Sequence, residues 1–277
     1  MRMKRQAPAL VVATLLAVGA GCNQAPKALT PEEARAKGDG MLRQMSQTLA
    51  ATQTFSFTAD EVRERVNSAG AKSEVKSTRQ VTVRRPNGMA FTSKGDDERD
   101  NSAWYDGKSL TIVSHREKVW AKGPMPDTMD AAMDYLSAEY AIQMPTADLF
   151  YSSPYEALMT EDTTGGWVDV QKIGDKSYEH LSYHQPVLDW EIWLTQDDRR
   201  LPVQVQFTYK NEPGKPMLRV AYHDWNTSPP VSDDTFAAKI PDGYQRIKIM
   251  RHASVVDEKL GEAAATSGPP KPPAKPR

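Results

Sequence analysis

The single cysteine of the chain, Cys22, stands directly after a short apolar run. The run covers residues 9–20 and follows three basic residues, and the small residues 19–21 stand directly before the cysteine. This order is typical of a secretory signal peptide, whose apolar core is too short to span a bilayer. A cysteine at the first position after the cut is the residue that bacterial lipoprotein processing acylates. We therefore expect lipidation of Cys22, with palmitate among the acyl groups; an ordinary signal peptide with a chance cysteine is the alternative.

Two histidines, His180 and His184, lie four residues apart and could suggest a metal site. The segment around them alternates as a strand does, and on a strand they share a face about 13 Å apart at a rise of about 3.3 Å per residue. That separation is too large for one ion unless a turn at 183–186 brings the rings together. We expect solvated or packed histidines and no metal.

Acidic side chains cluster at residues 96–100, after Gly95. Calcium binds such oxygen clusters, but the ordered spacing of a calcium-binding loop is missing. A solvated hairpin tip explains the cluster better. The pairs Asp197-Asp198 and Asp233-Asp234 are likewise typical of turns between strands.

Motifs for nucleophilic catalysis are missing from the sequence: it contains neither a Gly-x-Ser-x-Gly elbow nor a glycine-rich phosphate loop. Lipidation would also remove the only thiol. Although a convergent triad can escape sequence inspection, we expect that the protein is not an enzyme and needs no cofactor.

The charge balance argues against nucleic-acid binding, because the 277 residues carry a formal charge of only −1. After the N-terminal run, no apolar stretch reaches the about 18–20 residues of a membrane-spanning helix. A single cysteine leaves no intramolecular disulfide, so a hydrophobic core must stabilise the fold.

Helical and strand periodicities divide the chain. A helix is predicted from Pro31, with Thr30 and Glu33 in a capping box, although Gly38 and Gly40 should weaken its first half. A second helix is predicted at 129–140 and a short third one at 154–159. Period-two alternation predicts antiparallel hairpins between 54 and 121 and again between 167 and 222, with a final strand at 245–250.

The predicted organisation is a signal peptide (1–21), a tether (22–29), one domain (30–250) and a disordered tail rich in proline and lysine (251–277). The tail could contact an anionic wall or membrane surface, or it could be inert. The fold class is mainly β (α+β): one large curved antiparallel sheet of about eleven strands with helices covering its concave face.

Several segments resemble a family of predicted periplasmic proteins of unassigned function. They are VRRP at 83–86, WYDG at 104–107, MPTADL at 144–149, WEIWL at 190–194 and LP at 201–202. The resemblance covers most of residues 35–250. That family is similar in architecture to the LolA/LolB lipoprotein-localisation proteins and to mycobacterial lipid-binding lipoproteins. The resemblance implies a half-barrel around an apolar cavity that accepts acyl chains, although a fold does not determine a function.

Apolar positions of the inner face and of the second helix would line this cavity. The predicted lining residues are Phe57, Val83, Phe91, Met133, Leu136, Trp190, Ile192, Val205 and Phe207. The same alternation would also suit a filled core without a cavity. Methionine favours a binding surface because its flexible side chain adapts to different ligands.

We therefore expect an envelope lipoprotein that binds a lipid or a lipoprotein acyl chain. It would be a monomer held at the periplasmic face by acylated Cys22. Asn23 instead of aspartate after the cysteine favours the outer membrane by the sorting pattern of enteric envelopes. The alternative is a structural or interaction lipoprotein with a filled core that docks a protein partner.

Overall fold

A computed structural model of the protein describes residues 28–140, 142 and 147–249. Cys22, the predicted signal peptide (1–21), most of the tether (22–29) and the predicted tail (251–277) lie outside these residues. The predicted domain boundaries therefore stay predictions.

Three α-helices are described: α1 (Pro31–Ala51), α2 (Met129–Tyr140) and α3 (Pro154–Leu158). The capping box of α1 is present, because the Glu33 amide donates to Thr30 Oγ1 (3.2 Å) and the Thr30 amide donates to Glu33 Oε2 (2.7 Å). Short 3-10 helices cover Ala147–Phe150 and Asp233–Thr235. Among the described residues, none of the helices has the length and apolar composition needed to span a membrane.

Twelve strands form one sheet. They are β1 (Thr54–Val66), β2 (Lys72–Arg84), β3 (Gly88–Gly95), β4 (Asp100–Tyr105), β5 (Ser109–Ser114), β6 (Val119–Pro124), β7 (Thr164–Ile173), β8 (Lys176–His184), β9 (Leu188–Leu194), β10 (Pro202–Tyr209), β11 (Met217–Asn226) and β12 (Gln245–Arg246). Their spatial order is β12-β6-β5-β4-β3-β2-β1-β11-β10-β9-β8-β7. Two antiparallel meanders, β1–β6 and β7–β11, thus join where β1 pairs with β11.

The predicted fold class is confirmed: the protein is mostly β, with a single large, open, curved sheet and few helices. The last strand differs from the prediction, since the described part of 245–250 contains only a two-residue strand, and it runs parallel to β6. The long connection 227–244 explains this direction, because it carries the chain across the convex face and brings it to β6 from the other end. Arg84 on β2 anchors this connection through Asp233 (2.7 Å) and stacks over Phe236.

The hydrophobic core lies between the concave face of the sheet and the helices. Leu42, Met45 and Leu49 of α1 are completely buried, and Met129, Met133 and Leu136 of α2 are almost so. Glycine in α1 does not interrupt the helix. Gly38 instead allows α1 to lie directly on the sheet, because a Cβ atom at this position would be only 2.7 Å from the Trp167 backbone nitrogen.

Candidate functional site

A cavity of about 230 Å³ lies between α2 and strands β2–β5. Most of its wall is apolar, and a few polar side chains stand at one end. The apolar lining residues are Met89, Phe91, Ala103, Leu110, Ile112, Leu136 and Ile142, and the polar ones are Arg79, Ser93, Arg99 and Asn101. An apolar wall with a few polar groups is the usual form of a small-molecule site.

Helix α2 is held over the sheet at its first turn. The Met129 amide donates to the Pro86 carbonyl (2.7 Å), which ties the start of the helix to the β2–β3 turn. Tyr105 on β4 donates its hydroxyl to the Pro126 carbonyl (2.6 Å). Burial raises the pKa of Tyr105 to about 12, so this hydroxyl keeps its proton and remains a donor.

A second cavity, of about 210 Å³, lies on the other side of α2, towards the 3-10 helix Ala147–Phe150. Met133, Ser137, Asp148 and Tyr151 line it together with Leu136 and Ile142, which also line the first cavity. Each cavity alone is smaller than the about 300 Å³ at the lower end of ligand pockets, whereas the two together exceed it. Leu136 and Ile142, which line both cavities, therefore separate them.

The polar end of the first cavity holds two guanidinium groups. Arg79 Nη1 lies 2.9 Å from Glu61 Oε1, and Arg99 Nη2 lies 3.0 Å from Asp97 Oδ2. The Ser93 side chain also lines this end and is only 2% exposed. Within the described part of the chain, Ser93 Oγ and Arg79 Nε have no hydrogen-bond partner. Buried donors of this kind are rare in proteins and call for an explanation.

Asp148 is the acidic residue of the second cavity. Burial raises the pKa of its carboxyl above the ordinary value of 3.8. A hydrogen bond with its own backbone lowers the pKa, but this effect is smaller. The hydroxyl of the neighbouring Tyr151 donates to Asp134 (2.7 Å) and not to this carboxyl. Asp148 thus adds an ionisable group whose charged form the apolar surroundings disfavour.

We expect Asp148→Asn to raise the melting temperature at pH 7. The pKa of the Asp148 carboxyl is higher in the folded state than in the unfolded state. Its contribution to the free energy of unfolding is therefore largest below about pH 4, where the carboxyl is protonated in both states. That stability is lost as the pH rises through the folded-state pKa. Because asparagine does not ionise, the variant does not lose stability in this way. Thermal unfolding of both proteins between pH 3.5 and 7.5 measures this, and a difference that does not change with pH would contradict it.

The nine residues predicted to line a cavity all belong to the core or pack against it. Phe91 and Leu136 line the first cavity, and Met133 and Leu136 line the second. The other six are buried in the core between the helices and the sheet: Phe57, Val83, Trp190, Ile192, Val205 and Phe207. The structure thus brings together three of the nine at the cavities.

The sequence reasoning missed the polar members of the site. Arg79, Ser93 and Asn101 occupy inward positions of β2, β3 and β4, two residues along from Val81, Phe91 and Ala103 respectively. A signal existed, since the period-two pattern continues through these positions while the residue type changes from apolar to polar. Arg99 and Asp97 belong to the acidic stretch 96–100, which does form the turn between β3 and β4.

The two histidines of β8 lie apart from the cavities. His180 is 6% exposed and stacks on Trp193 (ring centroids 4.6 Å apart), between Asp169 (3.0 Å) and Glu191 (2.9 Å). His184 contacts Asp189 (3.1 Å). No group of three His, Cys, Asp or Glu side chains with the geometry of a metal site occurs among the described residues.

A serine–histidine contact occurs on the convex face. Ser102 Oγ lies 2.8 Å from His115 Nε2, and Nδ1 of the same ring faces the Tyr244 hydroxyl (3.3 Å). Ser102 points away from the cavity, because its neighbours Asn101 and Ala103 line it. A catalytic triad has a carboxylate at the position where this site has a tyrosine hydroxyl.

Comparisons with solved structures show low sequence identity over most of the chain. An uncharacterised conserved protein from Thermus thermophilus is 9% identical, with a TM-score of 0.45 over 76% of this chain and 97% of that one. A LolA superfamily protein from Nitrosomonas europaea is 12% identical, with a TM-score of 0.36 over 73% and 98%. The lipoprotein LppX of Mycobacterium tuberculosis is 12% identical, with a TM-score of 0.45 over 70% and 97%.

No curated protein matches the chain. A family model described as "Predicted periplasmic protein (DUF2092)" matches residues 38–250. The matched range contains all twelve strands and all the helices described above, apart from the first residues of α1. The chain therefore belongs to this family of predicted periplasmic proteins.

Proposed function

We propose that the protein binds a hydrophobic ligand, the acyl chain of a lipid or of a lipoprotein, in the space between α2 and strands β2–β5. The observation that carries this proposal is the cavity of about 230 Å³ with a mostly apolar wall. Its walls come from α2 on one side and from four strands on the other, so a chain could lie between two layers. Burial of apolar surface contributes about 25 cal/mol per Å², which makes even one bound chain a substantial source of affinity.

Ala103→Leu tests this proposal, because Ala103 lies in the cavity wall and is 0% exposed. The added carbons would occupy the space of the ligand, and we expect the affinity for a fluorescent fatty-acid probe to fall by about tenfold or more. The measurement is a titration of the delipidated protein with the probe. We expect no loss of stability, whereas the same change in a filled core costs about 1–3 kcal/mol.

Ala121→Leu is the matched control. Ala121 pairs with Ile112 across β5 and β6, so it shares the inner face, and it is 5% exposed. It is not among the residues that line the cavity. Equal probe binding by the natural protein and by Ala103→Leu would contradict the proposed site, and the absence of any probe uptake by the natural protein would contradict the function.

We further propose that Cys22 carries the acyl groups that hold the protein at the periplasmic face of the outer membrane. The support is the order of the N-terminal residues, with Asn23 after the cysteine. Two acyl chains give stable membrane binding, whereas one gives only marginal binding. Cys22→Ser should release the protein from the membrane fraction, and Asn23→Asp should move it to the inner membrane in an enteric host. Membrane retention of Cys22→Ser would contradict the anchor.

We propose that the protein acts as a monomer and by binding, without catalysis. The outer strand β7 has a register irregularity between Trp167 and Asp169, and an irregular edge strand pairs less readily with a second sheet. The Ser102–His115 contact is directed away from the cavity and ends on a tyrosine. A dimer in analytical sedimentation would contradict the proposed monomer. Ester hydrolysis by the natural protein that is lost in Ser102→Ala would contradict the proposal that the protein acts without catalysis.

A further inference from the structure

The inner face of the sheet changes from apolar to polar along its strands. On β1 the inward residues run from Phe55 through Phe57 and Ala59 to Glu61. The same change occurs on β2 and β3, where apolar positions give way to Arg79, Ser77 and Ser93. Glu61, Ser77 and Ser93 are 5%, 8% and 2% exposed, so this polar end is itself buried. An apolar space that ends in a buried polar group suits a ligand with a tail and a head.

Two donors at this end lack an acceptor. Arg79 Nη1 forms an ion pair with Glu61 Oε1 (2.9 Å), and among the described residues neither this oxygen nor Arg79 Nε has a hydrogen-bond partner. Ser93 Oγ also has no hydrogen-bond partner among the described residues, and both side chains line the cavity. A buried donor that has lost its water and gained no acceptor is destabilising. An acceptor that a ligand brings to this end of the cavity would satisfy both donors after a small movement of the two side chains, because each donor atom is itself buried.

A carboxylate fits these donors best. It has two oxygens that accept only, whereas an alcohol also brings a proton that needs its own acceptor. The cavity wall carries two guanidinium groups, Arg79 and Arg99, and one amide, Asn101. Glu61 and Asp97 each engage one edge of a guanidinium, and a guanidinium has five N–H donors, so donors remain for a further anion.

We infer that the ligand is a single acyl chain that ends in a free carboxylate, such as a fatty acid. The carboxylate accepts from Arg79 Nε and Ser93 Oγ beside Arg99. The chain then lies along Phe91 and Ala103 beneath Leu136. This inference rests on the proposed function, because it assigns a head group to the ligand of the same cavity.

Calorimetric titration of the delipidated protein at pH 8 with dodecanoic acid, methyl dodecanoate and dodecanol tests the head group. The three probes share one tail, and only the first carries a charge at this pH. We expect the acid to bind at least about tenfold more tightly than the ester or the alcohol, since hydrogen bonds to charged groups are the stronger ones. Equal binding of all three would overturn the carboxylate site and leave the hydrophobic ligand standing. Binding of none would contradict the proposed function itself.

Ser93→Ala separates a ligand contact from a structural one. We expect it to reduce the affinity for dodecanoic acid by about threefold to tenfold and to leave that for the ester unchanged. The melting temperature without ligand should stay the same or rise, because the change removes an unpaired buried hydroxyl. Unchanged acid affinity in this variant would overturn the assignment of Ser93.

Ser77→Ala is the matched control for Ser93→Ala. Ser77 is a buried serine on the adjacent strand, but its hydroxyl already donates to Glu61 Oε2 (3.4 Å). We expect no change in the preference for the acid. Arg79→Lys complements this pair, since it keeps a cation beside Glu61 and removes Nε. A reduced preference for the acid in a folded Arg79→Lys protein supports the inference, and an unchanged preference contradicts it.

Discussion

Replacement of Arg85 by alanine should lower the free energy of unfolding by about 3 kcal/mol, the upper end of the range for leaving buried acceptors without a donor, because three carbonyls are affected. The Arg85 guanidinium donates to the carbonyls of Leu49 (3.1 Å), Phe150 (2.7 Å) and Leu149 (3.4 Å). These residues are 0%, 5% and 3% exposed, and they lie near the end of α1 and in the 3-10 helix. Without the arginine, their carbonyls would lose acceptor contacts that water cannot easily replace.

The preceding residue provides the control. Arg84 also bears a guanidinium and pairs with Asp233, but that carboxylate is 97% exposed and the contact lies on the convex face. Arg84→Ala removes this exposed ion pair and the stacking over Phe236, and it should therefore lower the free energy of unfolding by only about 1 kcal/mol. Urea denaturation of the two variants measures the difference. Similar effects of both would show that Arg85 does not join the helices to the sheet.

The two glycines in the first half of α1 should respond in opposite directions to alanine. Helix propensity alone predicts that both substitutions stabilise by about 0.5–1 kcal/mol. A Cβ atom at Gly38 would lie 2.7 Å from the Trp167 backbone nitrogen and 2.9 Å from the Gly166 carbonyl carbon. Because backbone atoms of β7 cannot move aside, we expect Gly38→Ala to destabilise by about 1–3 kcal/mol, as overpacking does.

Gly40→Ala should stabilise the protein by the amount that helix propensity predicts. A Cβ atom at Gly40 meets no other atom within 4 Å. Thermal or urea unfolding of the two single variants decides the matter. If both substitutions stabilised the protein, α1 could not lie as close to β7 as the structure shows.

Periodicity was sufficient to predict most of the architecture. The capping residues Thr30 and Glu33 mark the start of α1, and the spacing of four, three and four between Met129 and Tyr140 marks α2. Alternation located the strands because a half-buried strand must place every second side chain in the core. The direction of β12 could not be predicted in this way, since it depends on where the connection 227–244 crosses the sheet.

The site was less accessible from the sequence. Phe91, Met133 and Leu136 were found because apolar residues on an inner face must contact something apolar, but the same rule also selected residues such as Trp190 that fill the core. Whether a position contacts a cavity or another side chain depends on how completely opposing layers fill the space between them. Ser93 was missed because an isolated serine in a strand is usually solvated, and only the packing around it shows that it is buried.

The sequence by itself determined the position of Cys22 directly after a short apolar run, the helices and strands, and membership of a family of predicted periplasmic proteins. These depend on local order, chemical type and period, which the chain displays directly. Only the tertiary structure decided that α2 leaves a space over β2–β5, and that Arg79 and Ser93 stand at its end with donors that have no partner in residues 28–140, 142 and 147–249. Such properties arise between residues far apart in the chain, because packing and hydrogen bonding depend on where the layers meet.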